Sequence, residues 1–445
     1  MSEFSNWTHL AERAAEIDND LFAKYDVKRG LRNADHTGVL VGLSNIGSVS
    51  GVKKVDGVNV PAEGKLTYRG IDIKDLAEGY LSEKRVGYEE TAYLLLFGKL
   101  PTRDELERFS EYMKEQRKLP EYFTKDIILS FRGKDIMNML ARSVLALYTT
   151  DDNADDTSTE NVLRQSISLI AKFPEIIAHA FHGMRYHYMN KSLVIRHPHP
   201  KLSHAENFLY LLKGANRYTP LEVEILDLAL VLHAEHEGGN NSSFTVHVVS
   251  SSQTDTYSAI AAAIGSLKGP LHGGANSEVM AMMDNIKRNV KDWSNDQEIE
   301  EYLRKILRKE AYDHSGKIYG MGHAVYTLSD PRAVVLKKKA REVAIEKNRL
   351  HEFNLYDAIE RLVPKVFHEI KGDKVIAPNV DFYSGFVYCM LDIPVAVYTP
   401  MFAMARIAGW CAHRLEELIS AKRIIRPSYK TLAEEAPYIP LNERG

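Results

Sequence analysis

Three histidines of this chain stand among glycines. His272 lies within Gly269-Pro-Leu-His-Gly-Gly-Ala-Asn276, His236 opens His236-Glu-Gly-Gly-Asn240, and His323 closes Gly316-Lys-Ile-Tyr-Gly-Met-Gly-His323. Glycine leaves the neighbouring backbone bare, so that a ligand can approach closely. His272 falls in a turn between a small-residue helical run, 259–268, and an apolar run, 279–283, that also reads as helix. A helix start carries unpaired N–H groups and positive partial charge. That charge lowers the pKa of an imidazole and favours its neutral, hydrogen-bond-donating form. Such a group can polarise a carbonyl or stabilise an enolate. Taken alone, a Gly-Pro turn with a capping histidine accounts for the same stretch.

Other charged groups sit where charge is costly. Asp381 lies in Ala377-Pro-Asn-Val-Asp-Phe-Tyr-Ser-Gly385, just ahead of a helix expected over 385–391. As an N-cap it is ordinary. As a catalytic base it needs a desolvating pocket, to which Phe382 would contribute, to lift its pKa from about 3.9 towards neutrality. Arg406 is surrounded by Ala403, Met404, Ile407, Ala408 and Trp410, where a guanidinium is costly unless an anion meets it. Arg426, in Arg423-Ile-Ile-Arg-Pro427, reads on its own as a solvated tail charge. Asp330-Pro331-Arg332 starts a helix with Asp as N-cap and Pro at the first helical position.

The histidines also pose a metal question. His233 and His236 are three apart with Glu235 between them, whereas metalloprotease helices space their histidines four apart. The match fails, and no metal is expected. The segment 316–323 fits neither a Walker loop nor Gly-x-Gly-x-x-Gly. It reads as a loop with a surface histidine, or as bare backbone able to pack against an adenine ring.

Mostly helices must position these groups. Trp7, Leu10, Ala14, Ile17, Leu21 and Tyr25 recur at helical spacing, one amphipathic helix of about six turns. It would wrap a core or a partner subunit, and Gly30 ends it. Residues 39–43, 47–60 and 65–68 read as short strands separated by glycines. Thr102 with Glu105 forms a capping box at a helix start. Helical periodicity then fills 136–148, 162–173, 205–212, 221–236, 256–266, 298–309, 331–350, 356–371 and 401–421. The helix ending at His236 is apolar nearly all round, hence buried, and directs its terminal charged groups into a cleft.

The totals set the frame. A chain of 445 residues exceeds one compact core, so two domains or a core with an inserted lobe is expected. Apolar residues make up 44% and charged ones 26%, with a net charge of −3 and no Lys/Arg block. Nucleic acid and anionic membranes are therefore not expected partners. Two cysteines, Cys389 and Cys411, exclude a disulfide framework and point to a reducing compartment. With no secretory signal or spanning segment recognised, a cytoplasmic, soluble protein is expected.

Together these segments resemble the citrate synthase family, over about Gly38 to Lys430. The motifs that carry the resemblance are those at His236 and His272, Gly320-Met-Gly-His-Ala-Val325 with Asp330-Pro-Arg332, and Asn379-Val-Asp-Phe-Tyr-Ser-Gly385. The resemblance implies a mainly α, two-domain fold with a small N-terminal β element. The large, dimer-forming domain would be 1–272 plus 381–445, and the mobile small domain 273–380. It implies His272, His323 and Asp381 as catalytic residues: Asp381 takes a methyl proton from acetyl-CoA, neutral His272 hydrogen-bonds the thioester oxygen, and His323 polarises and protonates the oxaloacetate carbonyl. His236, Arg332, Arg406 and Arg426 would bind oxaloacetate, Arg426 reaching across a homodimer. Ile318, Tyr319 and Gly320 would flank the adenine of CoA. No metal or redox cofactor is implied, because the thioester itself activates the methyl group. Where many relatives carry a phosphate-binding arginine four residues after the third histidine, this chain has Thr327. The same chemistry with propionyl-CoA, a 2-methylcitrate synthase, is the alternative, since one methylene is worth only about 1–3 kcal/mol. A zinc hydrolase using His233, His236 and His272, and a non-catalytic helical binding protein, are the competing readings from other classes.

Overall fold

The computed structural model describes residues 3–33, 37–372 and 375–444. It comprises two units, Met1–Ser44 and Asn45–Gly445. In the first, the expected single long helix is two helices, Glu3–Ala15 and Asn19–Lys24. The break has a local cause. The Asp18 side chain accepts the N–H of Asp20 and starts the second helix, and an N-cap residue itself sits outside helical geometry. Residues 39–43, expected as a strand, form none. An extended run needs a neighbour to complete its backbone hydrogen bonds, and the bridge nearest to them joins Arg32 and Gly38.

The second unit opens with an antiparallel hairpin, β1 (Gly47–Val55) and β2 (Val58–Tyr68), followed by a two-residue strand β3 (Ile71–Asp72), in the order β1-β2-β3. The register shifts between Ser50 and Val52, a bulge at Gly51. A side chain there would meet the Val325 carbonyl at 2.3 Å, and one at Gly64 would meet that of Ser329 at 2.1 Å. The hairpin thus lies flat on the chain that follows His323. Thr327 fastens it, donating to the carbonyls of Gly51 and Ala62.

The regular elements after β3 are helices, as the periodicity implies, and the chain is mainly α. At the centre runs Tyr398–Glu416, buried at sixteen of its nineteen positions. It packs against Tyr88–Phe97, Thr159–Tyr188, Pro220–His233, Asn241–Ser250 and Thr256–Lys268. With its flanking turns it is long and apolar enough to cross a membrane, but 78% of that window is buried inside the protein, which makes it the core helix.

Several helices depart from the sequence expectation, three of them for visible reasons. Thr159–Tyr188 continues through Pro174 where the pattern stops at Phe173. Burial on both sides of the proline outweighs the one lost hydrogen bond. Asn241–Ser250, rich in Ser, Thr and Val, was not expected to be helical; its packing against the core helix overrides weak intrinsic propensity. The helix at Asp381 starts earlier than expected, at Val380, with Asn379 as its cap.

Candidate active site

The Pro220–His233 helix delivers the first group. Thr219 caps it, and Pro220 occupies its first turn. Its exit is pinned by the β2 hydroxyl of Tyr68, which donates to the Val231 carbonyl at 2.9 Å and accepts the Glu235 N–H at 3.2 Å. His236 follows, buried, its ring edge-on to those of His323 and Tyr326 with centroids 5.2 and 5.6 Å away. Burial, then the charges of Arg332, His323 and Arg406, hold its pKa far below the usual imidazole range. Its Nε2 is buried without a hydrogen-bond partner.

His272 sits where the sequence expects it, in the turn between Thr256–Lys268 and Ala275–Asn289. Gly273 is required there, because a Cβ would come within 2.2 Å of the Leu267 carbonyl. The His272 Nε2 lies 3.1 Å from the Ser242 hydroxyl, which also accepts the indole N–H of Trp410 at 3.0 Å. The pKa of His272 is pushed down to about 4, as the neutral-imidazole reading requires, but by burial first and Arg406 second. The helix start invoked from the sequence is not among the causes.

His323 and Asp381 are built together. Gly320 and Gly322 take left-handed φ values of 79° and 86°, which glycine adopts without strain. They lay the loop beside the segment before Asp381: Gly322 N–H donates to Ala377 at 2.7 Å, and Asn379 N–H to Gly320 at 2.9 Å. The Asn379 side chain then does two things. Its amide nitrogen donates to the Gly322 carbonyl at 2.9 Å, and its oxygen accepts the Asp381 N–H at 3.0 Å. Asn379 is therefore the cap, and Asp381 is left for other work. Two backbone N–H groups, of Val325 and Tyr326, reach His323 Nδ1 at 3.0 and 3.1 Å. Nδ1 is an acceptor, so in the neutral ring the proton lies on Nε2.

Part of Asp381 remains accessible, yet enough protein surrounds its carboxyl that desolvation dominates. Its pKa is raised to about 6 by burial, against the opposing pull of Arg332. Asn276, from the His272 motif, donates to Ser384 at 2.7 Å and lies 3.4 Å from Asp381 Oδ1.

Two arginines complete the cluster. Arg332 is held in a two-point pair by Asp330, Nε to Oδ1 at 3.0 Å and Nη2 to Oδ2 at 2.8 Å, and lies over the Tyr326 ring. Asp330 caps this helix as expected, and also accepts the Val380 N–H at 3.1 Å. Arg406 is fully buried; its Nε donates to the His233 carbonyl at 2.6 Å, while Nη1 and Nη2 have no partner. Burial drops its pKa to about 10. Unpaired guanidinium donors enclosed in protein are costly unless an anion meets them.

The structure thus gathers His236, His272, His323, Arg332, Arg406 and Asp381: the same two guanidiniums influence His236 and Asp381, and Arg406 also influences His272. Arg426 is not part of this group within the chain. It is exposed in an irregular C-terminal segment, without a hydrogen bond or ion pair among the described residues. Of the residues assigned to adenine, Ile318 is buried, and Tyr319 donates to Asp313 at 2.7 Å. The bareness of Gly320 serves packing, since a Cβ would stand 2.9 Å from Val279 and 3.0 Å from Phe382. Sequence reasoning passed over Ser242, Asn276 and Asn379 as site residues, although the last two lie inside quoted motifs.

Residues 35–428 match the family model described as citrate synthase, C-terminal domain. The chain is 38% identical to the citrate synthase of Deinococcus radiodurans, covering 86% of this chain and 94% of that one. It is 32% identical to the 2-methylcitrate synthase of Mycobacterium tuberculosis, covering 93% of each. Among solved structures it resembles the Thermoplasma acidophilum citrate synthase in ternary complex with carboxymethyl coenzyme A and oxaloacetate, with a TM-score of 0.75, 27% identity, and coverage of 94% and 99%. The chain belongs to the citrate synthase family.

Proposed function

We propose that this chain joins acetyl-CoA to oxaloacetate and hydrolyses the resulting thioester to citrate and CoA. One observation carries the assignment: a carboxyl of raised pKa and two unpaired guanidinium donors share an enclosure with three histidines. Asp381 removes a proton from the acetyl methyl group. Negative charge moves to the thioester oxygen, where neutral His272 donates a hydrogen bond. The Ser242 hydroxyl orients that ring through Nε2, while its own proton goes to Asn240 Oδ1 at 2.9 Å. The enol carbon attacks the keto carbon of oxaloacetate, and His323 Nε2–H protonates the forming alkoxide. Water then cleaves citryl-CoA. Preorganised donors of this kind stabilise developing charge most effectively in a dry site. His236, Arg332 and Arg406 hold the dicarboxylate, for which arginine forks are suited.

The reading extends to assembly. Residues 273–380 act as a small domain that closes on 1–272 plus 381–445, excluding water before proton abstraction. The boundary falls within the Asn379 contacts, which tie Asp381 to the His323 loop of the closing body. Arg426, exposed here, completes the oxaloacetate site of a partner in a cytoplasmic homodimer within the tricarboxylic acid cycle. Ile318, Tyr319 and Gly320 flank adenine.

The test is thiol release from acetyl-CoA and from propionyl-CoA, each with and without oxaloacetate. Release from acetyl-CoA only when oxaloacetate is present is expected. Release independent of oxaloacetate would mean a thioesterase, and a higher kcat/KM with propionyl-CoA would make the enzyme a 2-methylcitrate synthase.

A further inference from the structure

Glu235, immediately before His236, ends a buried chain of four side chains that the chemistry above does not use. Its Oε1 lies 3.0 Å from Nε2 of His413, on the core helix. The other ring nitrogen of His413, Nδ1, faces Nε2 of His247 at 3.0 Å. His247 Nδ1 meets Glu417 Oε2 at 2.8 Å. The histidine pair sits directly against the turn that carries His236: a Cβ on Gly238 would stand 3.2 Å from His247 Nε2 and 3.5 Å from the His413 ring.

A neutral imidazole carries one ring proton, and on His413 the contact with the Glu235 carboxylate places it on Nε2. Glu235 is ionised: burial alone would raise its pKa, but His413 and Arg406 overcome this and hold it below the usual carboxylate range.

Arg406 and Glu235 each influence the other's ionisation, yet they share no hydrogen bond or ion pair. Nη1 and Nη2 of Arg406 are unpartnered, and so is Glu235 Oε2. A buried carboxylate and a buried guanidinium on segments joined by the Gly409 N–H to the Ala234 carbonyl, at 3.2 Å, would ordinarily pair. Two features prevent it. His413 holds Oε1, and the chain packs closely around the group, for a Cβ on Gly409 would lie 2.3 Å from Oε2 and one on Gly47 2.8 Å from the Glu235 Cγ.

We propose that His413, backed by His247 and Glu417, is a positioning residue that restrains Glu235 and so keeps the Nη groups of Arg406 available to a substrate carboxylate. This rests on Arg406 being an oxaloacetate ligand. Glu235 remains near enough to balance the buried cation in the empty site without occupying its donors.

Steady-state kinetics on the full-length enzyme test it. Releasing Glu235 by His413→Ala should raise the oxaloacetate KM about 10- to 100-fold, the range of a lost charge-assisted hydrogen bond, with kcat and the acetyl-CoA KM changed little. Adding Glu235→Gln removes the competing carboxylate and should bring that KM back most of the way. A double variant as impaired as the single one, or an unchanged KM in His413→Ala, overturns the proposal. An Arg406→Gln control separates the two readings: if it leaves the oxaloacetate KM unchanged, the ligand assignment fails rather than the restraint alone. Neutron diffraction from wild-type crystals needs no variant to fold. A deuteron on His413 Nε2, directed at Glu235 Oε1, is expected; a bare Nε2, or a metal ion between the facing nitrogens, would overturn the proposal.

Discussion

The side-chain amide of Asn276 lies 3.4 Å from Asp381 Oδ1, so the His272 motif supplies a hydrogen-bond donor to the proposed base. A donor to a carboxylate favours its ionised form, whereas burial disfavours it. Burial prevails, and Asp381 is raised to about 6. As the base must be ionised, kcat/KM for acetyl-CoA should fall about tenfold per pH unit below about pH 6. Asn276→Ala should move that acid limb to higher pH. A limb that stays below pH 5 in both proteins would assign the proton to another group.

The same carboxyl makes a stability prediction. Its folded pKa lies above the unfolded value of about 3.9, so the folded state binds the proton more tightly. Its destabilising effect is absent below about pH 4, grows between about pH 4 and 6, and is full above that. Asp381→Asn should therefore abolish most turnover while stabilising the unliganded protein at pH 7.5 by up to about 3 kcal/mol. Urea unfolding at pH 7.5 and pH 4 checks this: the gain should shrink at the lower pH.

Ser242 joins His272 to Trp410. Ser242→Ala leaves the imidazole without the partner that orients it. We expect kcat to fall about 100-fold or more, as for loss of one oxyanion donor, with the oxaloacetate KM little altered. His272→Ala should cost at least as much, and the two effects should not add, because both remove one donor.

Arg426 gives a test of assembly. Asp381→Asn and Arg426→Gln should each be nearly inactive alone. Co-refolded in equal amounts, they should recover about a quarter of wild-type activity, because half the dimers then contain one intact site of two. No recovery would place both residues in the same site of one chain, and an Arg426→Gln protein active on its own would place Arg426 in no site.

Much of the site was legible because its chemistry-bearing residues sit in short runs with glycines that can be read locally: His272 before Gly273, His323 after Gly322, Asp330 before Pro331. What was not legible depends on contacts distant in sequence. Nothing around Asn379 announces that its amide will reach Gly322, 57 residues away, and Glu235 reads as an ordinary helix-end acid until His413 is seen beside it, 178 residues on. The cause of the His272 shift was misread for the same reason. A helix start is visible in the sequence, but the enclosure and Arg406 are tertiary. The broken N-terminal helix was a failure of local reading, since periodicity continued across Asp18 while its side chain capped a new helix.

Asn379 grips the backbone on both sides, the loop of His323 and the first turn at Asp381. The proposed base and the proposed acid consequently form a single prefabricated part. Their mutual spacing is decided when the polypeptide folds, and any gaping of the crevice for loading must swing them in concert. Exchanging Asn379 for a residue unable to reach both sides would loosen the timing between the two proton transfers while leaving each participant in place.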